Sequence, residues 1–277
     1  MTAVRRLVVQ TRPRFWLYLA GPVLVGLVFG VANVEALVSP LALVLFAYFL
    51  VPANAFLYGI NDLFDADLDA ANPKKADREV RSRRGADEVV FVGLAAVLGL
   101  GLIAVLPPVA VPYLIGFLVL GAAYSVPPVR LKTKPPLDSL SNGLYILPGA
   151  AAYAAFAGAH PPALVLLGGW LWTMAMHTFS AIPDIEPDRR GGIRTTATVL
   201  GRRGALGYCG GVWSLAAVAF AAVDPRAGIL LAVYPAMVAA VLLRDVEIAR
   251  AYWWYPTINT VVGMTFTLAG LWRVVGG

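Results

Sequence analysis

A short run of acidic side chains marks one segment of the chain. It reads Asn61-Asp62-Leu63-Phe64-Asp65-Ala66-Asp67-Leu68-Asp69. Because residues of an α-helix follow one another at about 100°, Asn61, Asp62, Asp65 and Asp69 would share one face, and Asp67 would point away. Carboxylate and amide oxygens suit Mg²⁺, which usually shares its coordination sphere with substrate phosphates. We therefore expect a magnesium site here, with Asn61, Asp65 and Asp69 as ligands.

A second acidic segment offers the same chemistry. It reads Asp184-Ile185-Glu186-Pro187-Asp188, which puts Asp184 and Asp188 four residues apart as two further candidate metal ligands. Pro183 and Pro187 disfavour a regular helix, so we expect this segment to be irregular.

Basic side chains accompany both acidic segments. They are Lys74, Lys75, Arg78 and Arg81 after the first, Arg189, Arg190 and Arg194 after the second, and Arg130 and Lys132 between them. Metal-bridging carboxylates with nearby cations are what the departure of a diphosphate requires, because they neutralise the charge that develops as the carbon–oxygen bond breaks. For each cation taken alone, membrane topology is the competing explanation. For a single acidic segment, the competing explanation is a solvated surface.

The amino-acid composition indicates the environment in which these segments lie. Of the 277 residues, 59% are hydrophobic and only 14% are charged, and the mean hydropathy is +0.74. A soluble domain could not bury so much apolar surface, and a disordered chain would be far more polar. One cysteine and two histidines exclude an intramolecular disulfide and a cysteine-based metal cluster. We read the net charge of +6 as a topology signal, and we expect no nucleic-acid partner.

Nine apolar stretches approach the roughly 20 residues that cross a bilayer as a helix. They are residues 15–32, 37–60, 88–106, 109–126, 138–158, 162–182, 205–223, 227–243 and 253–272. The sequence thus predicts an all-α membrane protein, with residues 1–277 forming one domain of two crude halves, about 1–135 and 136–250. Each half carries one acidic segment. No small-residue cleavage site follows the first stretch, so we do not expect a cleavable signal peptide.

The charges are distributed unequally between the two sides of this predicted bundle. On one side lie 20 of the 22 Lys and Arg residues, and only Arg226 and Arg273 fall on the other. The positive-inside rule then predicts a cytoplasmic amino terminus and an external carboxyl terminus. Fourteen of the 16 acids share the basic side, with Glu35 and Asp224 as the exceptions. Acids contribute little to orientation, so their concentration there favours a functional reason.

Three polar residues near the predicted helices are further candidates. His177 precedes Asp184 by seven residues, and it is either an interhelical hydrogen-bonding residue or a proton acceptor. Asn142 is either a helix-bridging side chain or a contact to the acceptor substrate. Tyr124 ends the fourth predicted helix and is either an interfacial aromatic residue or a ligand of the diphosphate.

These motifs resemble the UbiA superfamily of intramembrane prenyltransferases. The family's NDxxDxxxD signature is matched by Asn61, Asp62, Asp65 and Asp69. Its second DxxxD signature, followed by a basic residue and a GI(K/R)(S/T)T stretch, is matched by Asp184, Asp188, Arg190 and Gly192-Ile193-Arg194-Thr195-Thr196. The segment from Tyr124 to Lys132 looks like the family's tyrosine–lysine loop, and Arg12-Pro13 resembles the Arg-Pro that opens its first helix.

The resemblance implies nine helices around a central cavity, in which the five aspartates of the two motifs are catalytic and hold Mg²⁺ on an isoprenyl diphosphate. It also implies phosphate contacts from Arg12, from Arg130 or Lys132, and from Arg194, with Tyr124 and Arg190 nearby. Many members have Arg-Pro soon after the Asn-Pro that follows the first motif. Here Asn72-Pro73 leads to Lys74-Lys75, and Lys75 and Arg81 are the candidate phosphate ligands in that loop.

That loop, together with the residues from His177 to Asp188, looks like the lycopene elongase branch of the superfamily. The resemblance implies transfer of a five-carbon unit from dimethylallyl diphosphate to lycopene. This acceptor would enter the enzyme from the lipid of the cell membrane. Few polar side chains lie within the first six predicted helices, which favours such an apolar acceptor because an unpaired buried carboxylate would be very unfavourable. Two alternatives remain: prenylation of an aromatic quinone precursor, and a transporter whose intramembrane acids bind cations.

Overall fold

Helices account for all the regular structure in the part of the chain that is described. The computed structural model describes residues 3–70, 85–244 and 246–276, without the side chains of residues 3, 4, 66–70 and 249. The helices are α1 Ala3–Gln10, α2 Trp16–Gly30, α3 Pro40–Leu50, α4 Pro52–Ala70, α5 Ala86–Leu102, α6 Val111–Ser125, α7 Leu137–Leu140, α8 Leu147–Ala157, α9 Ala163–Ala181, α10 Ile185–Arg190, α11 Thr196–Ala221, α12 Pro225–Leu231, α13 Val233–Leu243 and α14 Ile248–Gly276.

Each of the nine predicted membrane helices corresponds to a helical segment of the described chain. Within the described residues, six segments are long and apolar enough to cross a membrane: Arg5–Gly30, Pro40–Asp65, Ala163–Arg190, Thr196–Ala221, Pro225–Leu243 and Arg250–Gly276. The shorter Val111–Ser125 is also apolar. The prediction of an all-helical membrane fold is confirmed, although three of the predicted helices are interrupted.

Side chains that accept from free backbone N–H groups define where several helices begin. Ser39 caps α3 by accepting from the Ala42 amide, and Asp224 caps α12 by accepting from the Arg226 amide. Both caps are followed by proline, whose missing N–H is not needed in the first turn. Thr195 forms a capping box with Thr198, so α11 begins nine residues before the predicted span at residue 205. Gly201, at φ 67°, kinks that helix where other residues would be strained.

The second predicted span is interrupted, contrary to expectation, between α3 and α4. Pro52 lacks an N–H, which frees a carbonyl group one turn earlier in the chain. Asn54 is fully buried, and its side-chain amide donates to the carbonyl oxygens of Phe49 at 3.1 Å and Leu50 at 3.0 Å. The amide therefore satisfies backbone groups that could find no water in a bilayer.

The fifth predicted span is likewise not one helix. It consists of α7, a 3-10 segment Ser141–Ile146, and α8. Side chains satisfy the carbonyl groups of the irregular part: Asn142 donates to Asp138 at 2.6 Å, Ser141 to Leu137 at 2.7 Å, and Trp170 to Leu140 at 3.0 Å. The eighth predicted span is also divided, at Ala232 between α12 and α13.

One compact unit comprises Met1–Arg130, Leu147–His160 and Gly270–Gly277. Within it α2 packs tightly on α8 through glycines. A Cβ atom added at Gly26 would lie 2.9 Å from the carbonyl carbon of Gly149, and one added at Gly149 would lie 2.6 Å from the carbonyl oxygen of Pro22. Small residues allow such close backbone approach in membrane helices.

An arginine at the end of α14 belongs to the same unit and completes the end of α2. Arg273 donates to the carbonyl oxygens of Val28, Phe29 and Val31, each at 3.2 Å. A cation near the last carbonyl groups of a helix is favourable because they carry partial negative charge. This contact gives a structural reason for one of the two basic residues that the topology map places outside.

The second compact unit comprises Leu131–Ile146 and Pro161–Ala269. Its centre is an aromatic cluster in which Trp213 lies 5.5 Å from Phe179, 5.2 Å from Tyr234 and 5.9 Å from Tyr255, measured between ring centroids. Trp213 also donates from its indole nitrogen to the carbonyl oxygen of Trp172 at 3.1 Å. The cluster joins α9, α11, α13 and α14, and so positions α9, which leads into the second acidic segment.

Candidate active site

The first acidic segment lies on the last turns of α4, as its spacing predicts. Asp62 and Asp65 are 7% and 8% exposed, so two carboxylates are withdrawn from solvent one helical turn apart. The backbone of Asp69 is helical, but its side chain lies outside the described residues. Lys75 and Arg81, the predicted phosphate ligands of the following loop, also lie outside them.

Two arginines distant in sequence hold these carboxylates. Arg12 donates to Asp62 at 3.0 Å, and Arg130 donates to Asp65 at 2.7 Å. The guanidinium of Arg12 also lies 4.7 Å from the centroid of the Tyr58 ring. A buried carboxylate is tolerable only when a cation or hydrogen bonds compensate for its lost hydration. The structure thus brings together two predicted phosphate ligands with two predicted catalytic aspartates.

Both arginines have an unusual backbone conformation. Arg12 has φ 51° and Arg130 has φ 40°, and they are the two non-glycine residues with positive φ in the described chain. Such a conformation costs about 1–3 kcal/mol, and it concentrates at functional sites where the surroundings impose it. The paired guanidinium groups are therefore held beside the carboxylates against local backbone preference.

The amide of the first motif is bound from α6. Ser125, the last residue of α6, donates to Asn61 at 3.1 Å and so orients its side chain. Tyr124, a predicted diphosphate ligand, is the neighbour of Ser125 and is half-buried. The end of α6 and the loop after it therefore contribute Tyr124, Ser125 and Arg130 to the surroundings of the first motif.

The second acidic segment belongs to the other unit. It is irregular at its start, as expected, and becomes α-helical from Ile185, which the two prolines did not predict. A 3-10 turn spans Ile182–Asp184, and α10 follows it. Pro183 and Pro187 are tolerated because both lie in first turns, where backbone N–H groups have no helical partner. Asp184 is exposed and Asp188 is half-buried, one turn apart.

Several basic residues belong to the same unit as this second segment. Arg189, which was not among the predicted site residues, donates to the Thr198 carbonyl at 2.7 Å and to Glu186 at 3.3 Å, so it ties α10 to α11. Arg190 and Arg194 are exposed, and Lys132 is half-buried in a 3-10 turn that leads into α7. Exposed guanidinium groups next to carboxylates are available to an anion.

A buried acid that the sequence analysis did not single out lies in the same unit. Asp138 is 1% exposed, and it accepts hydrogen bonds from the backbone amide of Thr196 at 2.7 Å and from its hydroxyl. His177 lies 3.9 Å from it. Asn142, for which the sequence left open a helix-bridging role or a contact to the acceptor, donates to the Asp138 carbonyl. The position of Asp138 at the edge of a predicted membrane span is the sequence feature that could have identified it as a candidate functional residue.

The oxygen donors of each segment fit magnesium. Among the described residues, no group of three or more His, Cys, Asp or Glu side chains forms a closed metal site. Magnesium does not need one, because it is commonly bound through one or two carboxylates and substrate phosphates. Asp62 and Asp65 provide such a pair in one unit, and Asp184 and Asp188 provide another.

Apolar helices that carry these two acidic segments define an integral membrane enzyme. The chain belongs to the UbiA prenyltransferase family, whose model matches residues 19–270. This match confirms the resemblance predicted from the two aspartate motifs.

Relatives and solved structures extend the comparison over the whole chain. A lycopene elongase/hydratase of Haloferax volcanii is 60% identical over 271 residues, covering 98% of this chain and 90% of the relative. A lycopene elongase/hydratase of Halobacterium salinarum is 60% identical over 274 residues, covering 99% of both. The structure of a UbiA homologue from Archaeoglobus fulgidus bound to DMAPP and Mg²⁺ has a TM-score of 0.75 at 20% identity, and covers 96% of this chain and 99% of that one. At that identity the likeness shows the fold.

Proposed function

We propose that this prenyltransferase moves a dimethylallyl group from dimethylallyl diphosphate to lycopene in a magnesium-dependent reaction. The product is a carotenoid extended by one five-carbon unit at an end of the polyene. The names of both haloarchaeal relatives, lycopene elongase/hydratase, support this acceptor. The archaeal homologue described with DMAPP and Mg²⁺ supports the donor and the metal.

One observation from the structure carries the donor half of the proposal. Asp62 and Asp65 are buried at the end of an apolar helix, and each is paired with an arginine held in a left-handed backbone conformation. A cation-transporting site would need acids without fixed arginine partners, because those cations compete with the transported ion. Carboxylates and guanidinium groups side by side instead match a metal–diphosphate complex, which carries charges of both signs.

In the proposed reaction the allylic carbon–oxygen bond breaks and the diphosphate leaves with the bonding electrons. Bound magnesium would supply electrostatic stabilisation of that leaving group. Arg12 and Arg130 neutralise the developing charge beside it. The terminal alkene of the acceptor then forms a carbon–carbon bond to the allylic carbon, which leaves a tertiary cation on the acceptor. Loss of a proton from that cation completes elongation, and addition of water would complete hydration.

We assign the other sequence-predicted residues to the same complex. Asp69, Asp184 and Asp188 would hold metal, with Asn61 as the amide ligand. The remaining predicted contacts to the diphosphate are Lys75, Tyr124, Lys132, Arg81, Arg190 and Arg194. Most of these residues are basic, so their replacement should raise the KM for the allylic diphosphate in a salt-sensitive way.

The membrane provides the acceptor in this proposal. A wholly apolar polyene can reach the enzyme laterally from the lipid without any polar contact. We infer a location in the cell membrane with a cytoplasmic amino terminus, since 20 of the 22 basic residues fall on one side of the predicted topology. The water-soluble diphosphate would then be taken from the cytoplasm.

The test uses purified full-length protein in detergent with Mg²⁺ and dimethylallyl diphosphate. One reaction contains lycopene and another contains 4-hydroxybenzoate, and products are separated by chromatography and identified by mass. We expect lycopene to gain one or two five-carbon units and the phenol to remain unchanged. Omission of Mg²⁺ should stop the reaction. Prenylation of the phenol with lycopene unchanged would refute the acceptor assignment and leave the family unaffected.

A further inference from the structure

A buried polar cluster in the second unit is not among the residues assigned above to the diphosphate. We define the α7 cluster as Asp138, Ser139, His177, Thr178 and Thr196. It forms where the fifth predicted span is interrupted, so irregular backbone and polar side chains occur together inside an apolar bundle. Irregular backbone at membrane depth is tolerated where it is buried in protein or lines a cavity, and it often accompanies a functional site.

Asp138 is the anionic centre of the α7 cluster. Its two carboxylate oxygens accept from the backbone amide and the hydroxyl of Thr196, the first residue of α11. The amino terminus of a helix favours a negative charge, which explains how a carboxylate can be 1% exposed. Among the described residues, His177 is the basic side chain within ion-pair distance of Asp138, at 3.9 Å.

Hydrogen bonds between α7 and α9 flank His177 next to that carboxylate. Ser139 donates to the carbonyl oxygen of Met174, and Thr178 donates to Ser139, each at 3.0 Å. These bonds join α7 to α9 on both sides of His177 in the sequence. The His177 side chain is 17% exposed whereas that of Asp138 is 1% exposed, so His177 is the member of the pair that another molecule can touch.

The position of His177 along its helix relates it to the second acidic segment. It precedes Asp184 by seven residues, through the end of α9 and the 3-10 turn Ile182–Asp184, which together correspond to about 10–12 Å along the axis and to similar faces. Asp184 belongs to the motif assigned to the diphosphate. If the diphosphate is bound there as proposed, the hydrocarbon part of the substrate would extend into the apolar part of the helices, on the side where His177 lies.

We propose that His177, oriented by the buried carboxylate of Asp138, takes the proton that is lost when the carbocation on the acceptor substrate is converted to the alkene or alcohol product. This inference rests on the proposed prenyl transfer. In elongation, the imidazole takes a proton from a carbon next to the cationic centre, and the C–H electrons form the new alkene. In hydration, a water oxygen bonds to the cationic carbon and the imidazole takes the proton from that oxygen. In both cases Asp138 stabilises the imidazolium and acts as a positioning residue.

Two variants separate this role from a structural one. Asp138→Asn keeps an acceptor for the Thr196 amide and removes the negative charge felt by His177. His177→Gln removes the proton acceptor and leaves Asp138 bound to α11. The matched controls are Asp224→Asn, a helix cap for which asparagine is equally suitable, and His160→Gln, a change at the other histidine of the chain, which is exposed and pairs with Tyr113.

The experiment measures three quantities for each purified variant in detergent: binding of dimethylallyl diphosphate with Mg²⁺ by calorimetry, kcat and KM for prenyl transfer, and the ratio of alkene to tertiary alcohol product. For Asp138→Asn and His177→Gln we expect unchanged diphosphate binding, a kcat about 100-fold lower, and a changed product ratio. The controls should match the wild type in all three.

Two results would overturn the inference. One is wild-type kcat and product ratio in His177→Gln, because the proton would then go elsewhere. The other is loss of diphosphate binding in Asp138→Asn in proportion to kcat, which would make Asp138 an anchor of the second motif only. If the wild type prenylates a phenol and not lycopene, the assignment of lycopene as acceptor fails, but the role of His177 and Asp138 can still be tested. The prenylated carbon of the phenol ring must also lose a proton, so the kcat of the two variants with the phenol then decides whether His177 accepts it.

Discussion

Arg130 donates a hydrogen bond to Asp65 at 2.7 Å across 65 positions of the sequence, from a backbone whose φ is 40°. Arg12 has the same relationship to Asp62 across 50 positions, with φ 51°. The two arginines lie near the two ends of the range Met1–Arg130, which belongs to the first compact unit. In the sequence, α4 lies between them. The first motif is therefore a pair of carboxylate–guanidinium contacts on one helical turn.

Replacement of Arg130 by alanine should reduce prenyl transfer about 100-fold, because one preorganised charge beside the leaving group is lost. Arg130→Lys should recover only part of the rate, since an ammonium group lacks the planar guanidinium geometry. Steady-state rates with dimethylallyl diphosphate give the measurement. Arg226→Ala, on the opposite side of the predicted topology, is the control. Wild-type kinetics in Arg130→Ala would show that this guanidinium does not take part in diphosphate departure.

Asp65→Asn and Asp184→Asn should each abolish prenyl transfer without loss of membrane insertion. The reason is that each motif is proposed to bind metal on the same diphosphate, so neither can replace the other. Activity is measured in membranes that contain equal amounts of each variant, with Asp224→Asn as the matched control. Full activity of either site variant would contradict the need for both motifs.

Gly26→Ala should lower the melting temperature in detergent, because its Cβ atom would lie 2.9 Å from the Gly149 carbonyl carbon and 3.0 Å from the Tyr153 amide nitrogen. Overpacking of this kind costs about 1–3 kcal/mol. Gly21→Ala in the same helix is the control, since no atom lies within 4 Å of its added Cβ. Equal melting temperatures for the two variants would mean that α2 and α8 can separate without penalty.

Reporter fusions at the two termini should place the amino terminus in the cytoplasm and the carboxyl terminus outside. The physical basis is the uneven distribution of lysine and arginine, which opposes transfer of basic loops across the membrane. Alkaline phosphatase and a cytoplasmic fluorescent protein, each fused at either end, provide opposite signals. Two termini on the same side would require an even number of spans.

The sequence alone determined the class of fold, the approximate positions of the apolar helical segments and the family. The length of the apolar stretches and the distribution of charges between loops depend only on the order of residues in the chain. The acids of α4 lie on one face of the helix, as a period of about 3.6 residues predicts. The spacing of Asn61, Asp62 and Asp65 was a local pattern of the same kind. Local patterns survive folding because helix geometry fixes which residues share a face.

Only the tertiary structure decided how distant residues pair. Arg12 reaches Asp62, Arg130 reaches Asp65, and Asp138 reaches Thr196 across 58 positions. The tertiary structure also decided where the predicted spans are interrupted. A break in a membrane helix is stable only when side chains such as Asn54 donate hydrogen bonds to the carbonyl groups that the helix leaves free. The sequence does not distinguish Asp138 from a charge in a solvated loop, because it is a lone acid at the edge of an apolar stretch. Its partner becomes visible only when α11 is packed against α7, because hydrogen-bond partners are selected by proximity in space and not by separation in sequence.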